Sequence, residues 1–301
     1  MTAPSPEAAL PDTPSPPTPS PDAPSLDAPG AGVAANLARW NARAEIHLAD
    51  RTGFYDVAGV VAGEVGFAGV SDDDLGPVEG LRIAHVQCHF GLDSLILARK
   101  GAEVEGLDFS PVAIEGARAL AARTGLPARF HLGDALSAAQ VMGAGRFDMV
   151  FVTWGTICWL PDVFAWAAQV AALLKPGGRL FFRDSHPAAQ ALDPVEGRLV
   201  PCFNWRTPRH APLRFEEATT YTGDEAPLPA LADHEWIHPV SDIVAGLMQA
   251  GLRLDGLEEH DFLVWDMWPG WTEQGEDGLW RFPQGAVRVP LSLTVRASRP
   301  A

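Results

Sequence analysis

An acidic side chain and a glycine-poor loop carry the first chemical signal in the chain. An apolar run, Leu81–Val86, leads into Gln87-Cys88-His89-Phe90-Gly91-Leu92-Asp93, and a second, Val104–Leu107, leads into Asp108-Phe109-Ser110. If both runs are parallel strands, these tails lie together at the carboxyl edge of an open sheet, where nucleotides bind. Asp108 then accepts hydrogen bonds from both hydroxyls of a ribose, a charge-assisted contact stronger than a neutral one. Its other reading is a turn or helix-capping aspartate, a task that Ser110 already fills. Gln87 and His89 stand where a dinucleotide fingerprint needs its first two glycines, and only Gly91 remains. Bulk there obstructs a pyrophosphate that must approach backbone amides. A phosphate-free nucleoside ligand, such as S-adenosylmethionine, tolerates it better than NAD or FAD.

Cys88 reads as a small packing residue rather than a nucleophile. His85, Cys88 and His89 are close together, but neither a C-x-x-C pair nor a distant ligand pair accompanies them, so no metal site is expected.

The elements that position these residues follow from the pattern. Five short apolar runs, Leu81–Val86, Val104–Leu107, Ala128–Leu132, Met149–Val152 and Arg179–Phe182, predict strands. Asp93–Lys100, Pro111–Thr124 and Val163–Leu174 predict helices between them. Ser110-Pro111 supplies a hydroxyl cap and a proline at the first helical position. Lys175-Pro176-Gly177-Gly178 supplies a stop and a turn. Such alternation predicts an α/β fold, a doubly wound, mostly parallel sheet covered on both faces. Upstream, Leu37, Trp40, Ala44, His47 and Leu48 recur at three-to-four spacing and predict a helix from near Asn36, closed by Gly53. A second short helix is expected from Tyr55 to Val65, and Ser71-Asp72-Asp73-Asp74 with Gly76-Pro77 reads as a turn-prone separator. Beyond Asp184 the alternation stops. Residues 187–236 are irregular and rich in Pro, Arg and Trp; a helix over Ser241–Ala250 follows, stopped by Gly251. Leu252–Glu258 and Ala286–Ala297 read as the last two strands, joined by an aromatic-rich connection, and no internal repeat is evident.

Composition bounds the partners. The charge is 22 basic minus 38 acidic residues, −16, with no Lys/Arg run, which argues against sequence-independent nucleic-acid binding. Three scattered cysteines make no disulfide framework and fit a reducing cytoplasm. No apolar run is long enough to span a bilayer, and the N-terminus lacks the basic start and apolar core of a signal peptide. A cytoplasmic protein without a membrane or nucleic-acid partner is expected, of an oligomeric state that composition does not set. Residues 1–30 hold ten of the 27 prolines and almost nothing to bury. They read as a disordered tail leaning towards polyproline II, with an SH3-type ligand as the rival reading. Residues 31–301 are the expected folded domain, with 31–70 as a helical lid and 187–236 as an insert over the active site.

With these elements in place, the segment from Leu81 to His186 resembles the class I S-adenosylmethionine-dependent methyltransferases. It is especially similar to a bacterial subgroup whose first loop reads Q-C-H-F-G. The motifs are H-V-Q-C-H-F-G-L-D-S-L, G-L-D-F-S, H-L-G-D-A, F-D-M-V-F-V-T-W-G and L-L-K-P-G-G-R-L-F-F. W-N-A-R-A-E-I-H and P-L-S-L-T-V-R-A extend the likeness from about Asn36 to Ser298. The resemblance implies a Rossmann-like sheet with an antiparallel last strand, and methyl transfer from S-adenosyl-L-methionine to a small organic acceptor. It implies that Gln87, Cys88, His89 and Gly91 hold the methionine portion. Asp108 would hold the ribose, with Phe109 on the adenine face and Ser110 next in that loop. Asp134 would accept the adenine amino group beside the Ala135 backbone donor, its other reading being a loop cap. Thr153 and Trp154 would line the sulfonium and the acceptor mouth. His85 departs from the Asp or Glu of most of the superfamily, and gives an ammonium no anionic contact unless another carboxylate compensates.

Methyl transfer from a sulfonium starts with its leaving group installed, so the protein must align three atoms and exclude water. Orientation of that kind contributes roughly 7–11 kcal/mol in favourable cases. A general base is needed only for an acceptor that is protonated at working pH. His186 beyond the fifth strand is the first candidate and Asp184 the second; the rival reading makes His186 a turn residue fixed by Pro187. Trp154, Trp159, Trp205, Trp236, Trp265, Trp268 and Trp271 concentrate in segments expected to overhang the cofactor, as an acceptor pocket or as core anchors. Trp159 and Trp166, seven apart, read as packing. Two rival functions remain: an adenosyl-ligand binding module without turnover, motivated by His85, Gln87 and His89, and a nicotinamide-dependent oxidoreductase, supported by the fold alone.

Overall fold

The computed structural model describes residues 31–286 and 288–301; the proline-rich stretch 1–30, read as a tail, lies outside the described residues. Three helices come first: α1 (Ala31–Ala49), α2 (Val57–Ala62) and α3 (Asp72–Leu75). The alternating part runs β1 (Arg82–Val86), α4 (Leu92–Arg99), β2 (Glu103–Asp108), α5 (Pro111–Thr124), β3 (Ala128–Leu132), α6 (Ala138–Met142), β4 (Phe147–Thr153), α7 (Val163–Leu173) and β5 (Leu174–Ser185). Then come α8 (Pro187–Gln190), the hairpin β6 (Leu192–Val195) and β7 (Arg198–Pro201), and the pair β8 (Leu213–Phe215) and β9 (Asp233–Glu235). The chain ends through α9 (Val240–Gln249), β10 (Arg253–His260), the short pair β11 (Glu273–Gln274) and β12 (Trp280–Arg281), and β13 (Ser292–Ser298).

Seven strands form the main sheet in the order β3-β2-β1-β4-β5-β13-β10. β1 pairs in parallel with β2 and β4, β2 with β3, and β4 with β5, while β13 runs antiparallel to β5 and β10. The expected doubly wound sheet with an antiparallel last strand is therefore present. Chain order reverses between β1 and β4, the switch point at which such sheets open a crevice.

Alternation of side chains along each strand separates two cores. Ala84, Val86, Val150, Val152 and Phe182 pack under Trp166 and Val170 of α7 and Ile243 and Leu247 of α9. Ile83, Val104, Met149, Phe151 and Phe181 pack under Leu97 and Ala98 of α4 with Leu75 and Val78. A leucine such as Leu97, at 0% exposure, contributes roughly 1.5–3 kcal/mol by its removal from water.

Several boundaries differ from the sequence expectation for physical reasons. α1 starts at Ala31, not near Asn36, because alanines propagate a helix without leaving an apolar period. Ser71–Asp74 is a capped helical turn: the Ser71 side chain accepts from the Asp74 amide, and Asp74 accepts from the Ser71 amide in return. The Asp74 carboxylate also binds Arg183, with Nη2–Oδ1 at 2.9 Å, and Arg296 at 3.0 Å, so the acidic run ties α3 to the sheet. Lys175–Gly178 does not end a segment ahead of the strand but bulges within β5, where pairing jumps from Phe147↔Leu174 to Met149↔Arg179. Gly177, at φ 78°, makes that excursion and donates to the Arg299 carbonyl at 2.9 Å. β13 begins at Ser292 rather than Ala286.

Candidate functional site

A cavity of about 710 Å³ opens at the carboxyl edge of β1, β2 and β4. Its floor is the β1–α4 loop with Asp108 and Phe109; its walls include Thr153, Trp154 and Trp159 after β4. The roof comes from α1, the segment leading to α2, the 187–236 insert and the aromatic connection before β11.

Backbone strain is present in the floor and in one wall. Gln87 at φ 60°, His89 at φ 49° and Trp154 at φ 50° are left-handed without being glycine, and all three line the cavity. Such residues cost on the order of 1–3 kcal/mol each, and persist only where the surroundings enforce them. Here the enforcing contacts are specific. Gln87 Nε2 donates to the Thr156 carbonyl at 2.8 Å. The His89 ring stands edge-on to Trp40 at 5.3 Å and to Phe90 at 4.5 Å between centroids. Gly91, at φ 81°, faces the Phe130 ring so closely that a Cβ would lie 2.6 Å from it, so this position has no room for a side chain.

Two carboxylates face the cavity from the strand edge. Asp108 accepts from the His89 amide through Oδ2 and from the Ser110 amide through Oδ1, each at 2.9 Å. Burial pushes its carboxyl up to about 6 against the lowering effect of the Ser110, His89 and Phe109 amides. Asp93, in the first turn of α4, accepts from the Thr153 hydroxyl at 3.0 Å, and burial likewise raises it to about 6. His85 lies beside them without charge: its Nδ1 is 2.8 Å from Ser94 Oγ, and burial lowers the imidazole to about 3.

Cys88 is buried at 3% exposure, and burial raises its thiol well above the ordinary range, which removes its nucleophilic form. The other expected site residues do not converge on the cavity. The Ser110 hydroxyl caps α5, accepting from the Ala113 amide at 3.1 Å, and donates to Asn41 Oδ1 on α1 at 2.7 Å. Asp134 is exposed and caps a single turn through the Leu136 amide at 2.8 Å, while Ala135 packs into the core. Asp184 turns away: its two oxygens accept from the amides of Gly155, Thr156, Ile157 and Ser185 and from the Thr156 hydroxyl. His186 caps α8 through Nδ1, which accepts from the Ala188 amide at 3.0 Å, and its Nε2 lies 3.0 Å from Glu259. Neither of these two expected bases is among the residues lining the cavity; Ser185 between them is.

The tryptophans divide. Trp154, Trp159, Trp265 and Trp268 line the cavity, whereas Trp205 is 58% exposed and Trp236 is buried with Nε1 donating to the Arg209 carbonyl. Trp166 is core, as expected, but Trp159 is cavity wall rather than packing.

Segments 31–70 and 187–236 were expected over the site, but the contacts that tie them together were not anticipated from the motifs. Asp233, at 0% exposure, receives Arg43 through both oxygens at 2.8 and 2.6 Å and lies 3.0 Å from Arg39 Nε. Asn36 completes the clasp by donating to the His234 carbonyl at 2.7 Å and accepting from its amide at 2.8 Å. Removing one member of a buried ionic cluster like this costs about 3–5 kcal/mol, so α1 and the insert are firmly fastened to each other. His47 joins them to the floor, with Nδ1 2.8 Å from His89 Nε2 and Nε2 2.6 Å from Thr220 Oγ1. The chain's two tyrosines, Tyr55 and Tyr221, meet at 2.5 Å between hydroxyl oxygens beside it. Burial and Arg43 lower His47 to about 3, so the pair of histidines is neutral.

Against known proteins, residues 83–178 match the methyltransferase domain family. The chain is 33% identical over 142 residues to a probable chloroplastic tocopherol O-methyltransferase of Oryza sativa subsp. japonica, covering 44% of this chain and 38% of that one. It is 38% identical over 106 residues to the ubiquinone biosynthesis O-methyltransferase of Methylobacterium nodulans, covering 35% and 41%. The chain thus spans about two fifths of the length of these curated relatives. An S-adenosylmethionine-dependent methyltransferase of Mesorhizobium loti superposes with TM-score 0.52 at 20% identity, covering 77% of this chain and 99% of that one. The magnesium protoporphyrin IX methyltransferase of Synechocystis PCC 6803, solved with bound S-adenosylhomocysteine, superposes with TM-score 0.50 at 15% identity, covering 89% and 99%. The sheet and its flanking helices are the class I methyltransferase fold.

Proposed function

We propose that the chain is an S-adenosyl-L-methionine-dependent methyltransferase acting on a small organic acceptor held in the cavity. The reading rests on Asp108: a carboxylate at the end of β2, on the cavity floor, held by one amide of its own loop and one of the β1–α4 loop. A ribose diol is the ligand group that such a carboxylate, with lone pairs left on each oxygen, matches.

The remaining donors and acceptors fit an adenosyl ligand. Phe109 offers a ring for the base, the loop from Gln87 to Gly91 flanks the amino-acid arm, and Thr153 and Trp154 border the space between cofactor and acceptor. Because His85 is neutral, Asp93 supplies the anionic contact for the ammonium. Bound there, the cofactor provides a methyl group on a sulfonium. The chain's own part is orientation and exclusion of water by the aromatic roof. Asp184, His186, Asp134, Ala135 and Ser110 hold local structure in this reading.

The acidic balance supports a small-molecule acceptor over nucleic acid, and no helix among the described residues is long and apolar enough to cross a membrane. The three cysteines, all free, fit the cytoplasm.

Incubation with methyl-labelled S-adenosylmethionine and a broad acceptor panel is expected to yield S-adenosylhomocysteine and a labelled product. Failure to bind either nucleoside by calorimetry discards the reading. Tight binding with no transfer to any acceptor returns the binding-module alternative.

A further inference from the structure

The roof over the cavity holds one more acidic side chain than basic ones. Two arginines, Arg39 and Arg43, meet three carboxylates, Asp233, Glu217 and Glu235. Asp233 takes both guanidinium groups, and Glu217 reaches Arg43 at 3.2 Å from an exposed position. Glu235, at the end of β9, lines the cavity and has no hydrogen-bond or ion-pair partner among the described residues. Glu235 is half-buried, and an acid without a partner on a cavity wall is open to a cation arriving from the cavity.

The surrounding surfaces suit a cation. Trp236 donates its amide to the Cys158 carbonyl at 2.8 Å, which sets Glu235 beside the Cys158–Trp159 turn. Trp159 and Trp40 stand edge-to-face at 5.2 Å and already carry one cation, the Arg43 guanidinium, at 5.7 and 5.5 Å from their ring centres. Arg43 is the one basic side chain among the described residues lining the cavity apart from the neutral histidines, and Asp233 neutralises it.

We propose that the methyl acceptor carries a basic nitrogen, received as an ammonium by Glu235 against the indoles of Trp40 and Trp159. The proposal rests on the methyl-transfer reading of the cavity and adds the acceptor's chemical class. The titratable groups facing Glu235 are Arg43 from α1, Asp233 from its own strand, Glu217 from the insert and the Cys158 thiol of the turn after β4. Burial, then Asp233 and Glu217, push its carboxyl up to about 8, opposed by Arg43. Binding of a cation there releases a proton near pH 7.

Phenethylamine, phenylethanol and phenylpropionate, alike in ring and chain but different in charge, are titrated into the protein saturated with S-adenosylhomocysteine. The amine is expected to bind at least tenfold more tightly than the other two, with proton release seen as a dependence of the calorimetric heat on buffer ionisation. Glu235→Gln is expected to remove both the preference and the proton release while S-adenosylhomocysteine affinity stays unchanged. Equal binding of the three probes, no binding of the amine, or a preference that survives Glu235→Gln overturns the proposal. The wild-type comparison alone decides it should the variant not fold. Failure of S-adenosylhomocysteine itself to bind counts against methyl transfer instead, and the amine titration on the free protein still reads the Glu235 site.

Discussion

Replacing Asp184 by alanine separates an anchor from a base. The carboxylate accepts from the amides of Gly155 at 2.6 Å, Thr156 at 2.8 Å, Ile157 at 3.3 Å and Ser185 at 2.7 Å, and from the Thr156 hydroxyl at 2.8 Å. At 1% exposure, no bulk water replaces it. Each buried donor left without an acceptor costs about 1–3 kcal/mol, but Gly155 and Thr156 border the cavity and can relax towards it. The net loss then falls at about 3–5 kcal/mol, the range for removing one partner from a buried charged network. In a domain of this size, roughly 2–4 °C per kcal/mol lowers the melting temperature by about 6–20 °C. Thermal and urea unfolding followed by circular dichroism measure the loss, and Asp184→Asn, which keeps one acceptor oxygen, is expected to lose less than Asp184→Ala. An alanine variant as stable as the wild type, with methyl transfer abolished and S-adenosylhomocysteine binding intact, refutes the anchor and restores Asp184 as a base.

Asp108→Ala is expected to weaken S-adenosylhomocysteine binding more than tenfold in calorimetry, and unchanged affinity rejects the ribose contact. Asp93→Asn is expected to weaken S-adenosylhomocysteine at least tenfold yet leave methylthioadenosine, which lacks the amino-acid arm, bound as before; equal loss of both removes Asp93 from the ammonium. Both carboxyls titrate near 6 in the folded chain, above their unfolded value of about 3.9, so the folded state holds their protons more tightly. With respect to these two groups, stability is greatest in acid and is lost as pH rises through about 6, while cofactor affinity runs the other way and falls as pH drops from 7 to 5. Melting curves and titrations at pH 5 and 7 check both signs, and Asp93→Asn removes its share of each.

The strands and helices of the sheet were legible because each apolar run is short, bounded by turn residues and long enough to cross one layer. The active-edge residues were legible only as far as the edge itself. Asp184 and Ser185 both stand at the end of β5, and alternation puts them on opposite faces. Asp184 follows Phe182 towards the turn after β4, whereas Ser185 follows Arg183 and reaches the cavity. A run of letters places both at the right height and neither on the right side. His186 was misplaced for a related reason: the Pro187 that follows makes it a helix cap, and its Nδ1 is spent on the Ala188 amide. Asp93 was quoted within the loop motif without a role, although an acid one residue past Leu92, at the start of a helix on the switch-point loop, is the available signal. The contacts within the roof had no local signal at all, because Arg43 and Asp233 are separated by 190 residues and His47 and Thr220 by 173.

The bulky β1–α4 loop has a consequence in the structure that its residue types alone did not suggest. Gln87 and His89 keep the left-handed backbone that glycine would adopt more cheaply, so the path of the loop survives the loss of its glycines. Their side chains do not fill the cradle; they leave it sideways. Gln87 fastens the loop to the exit of β4 through the Thr156 carbonyl, and Asp184 holds that same turn from the opposite side. His89 passes the connection to His47 on α1, and the Asp233 clasp carries it on to the insert. The residues that stand in the two glycine positions are thus the ones that bind floor, wall and roof into one unit. A loop of small glycines would leave α1 without its partner on the floor, and the cost of strain at Gln87 and His89 is the price of that continuity.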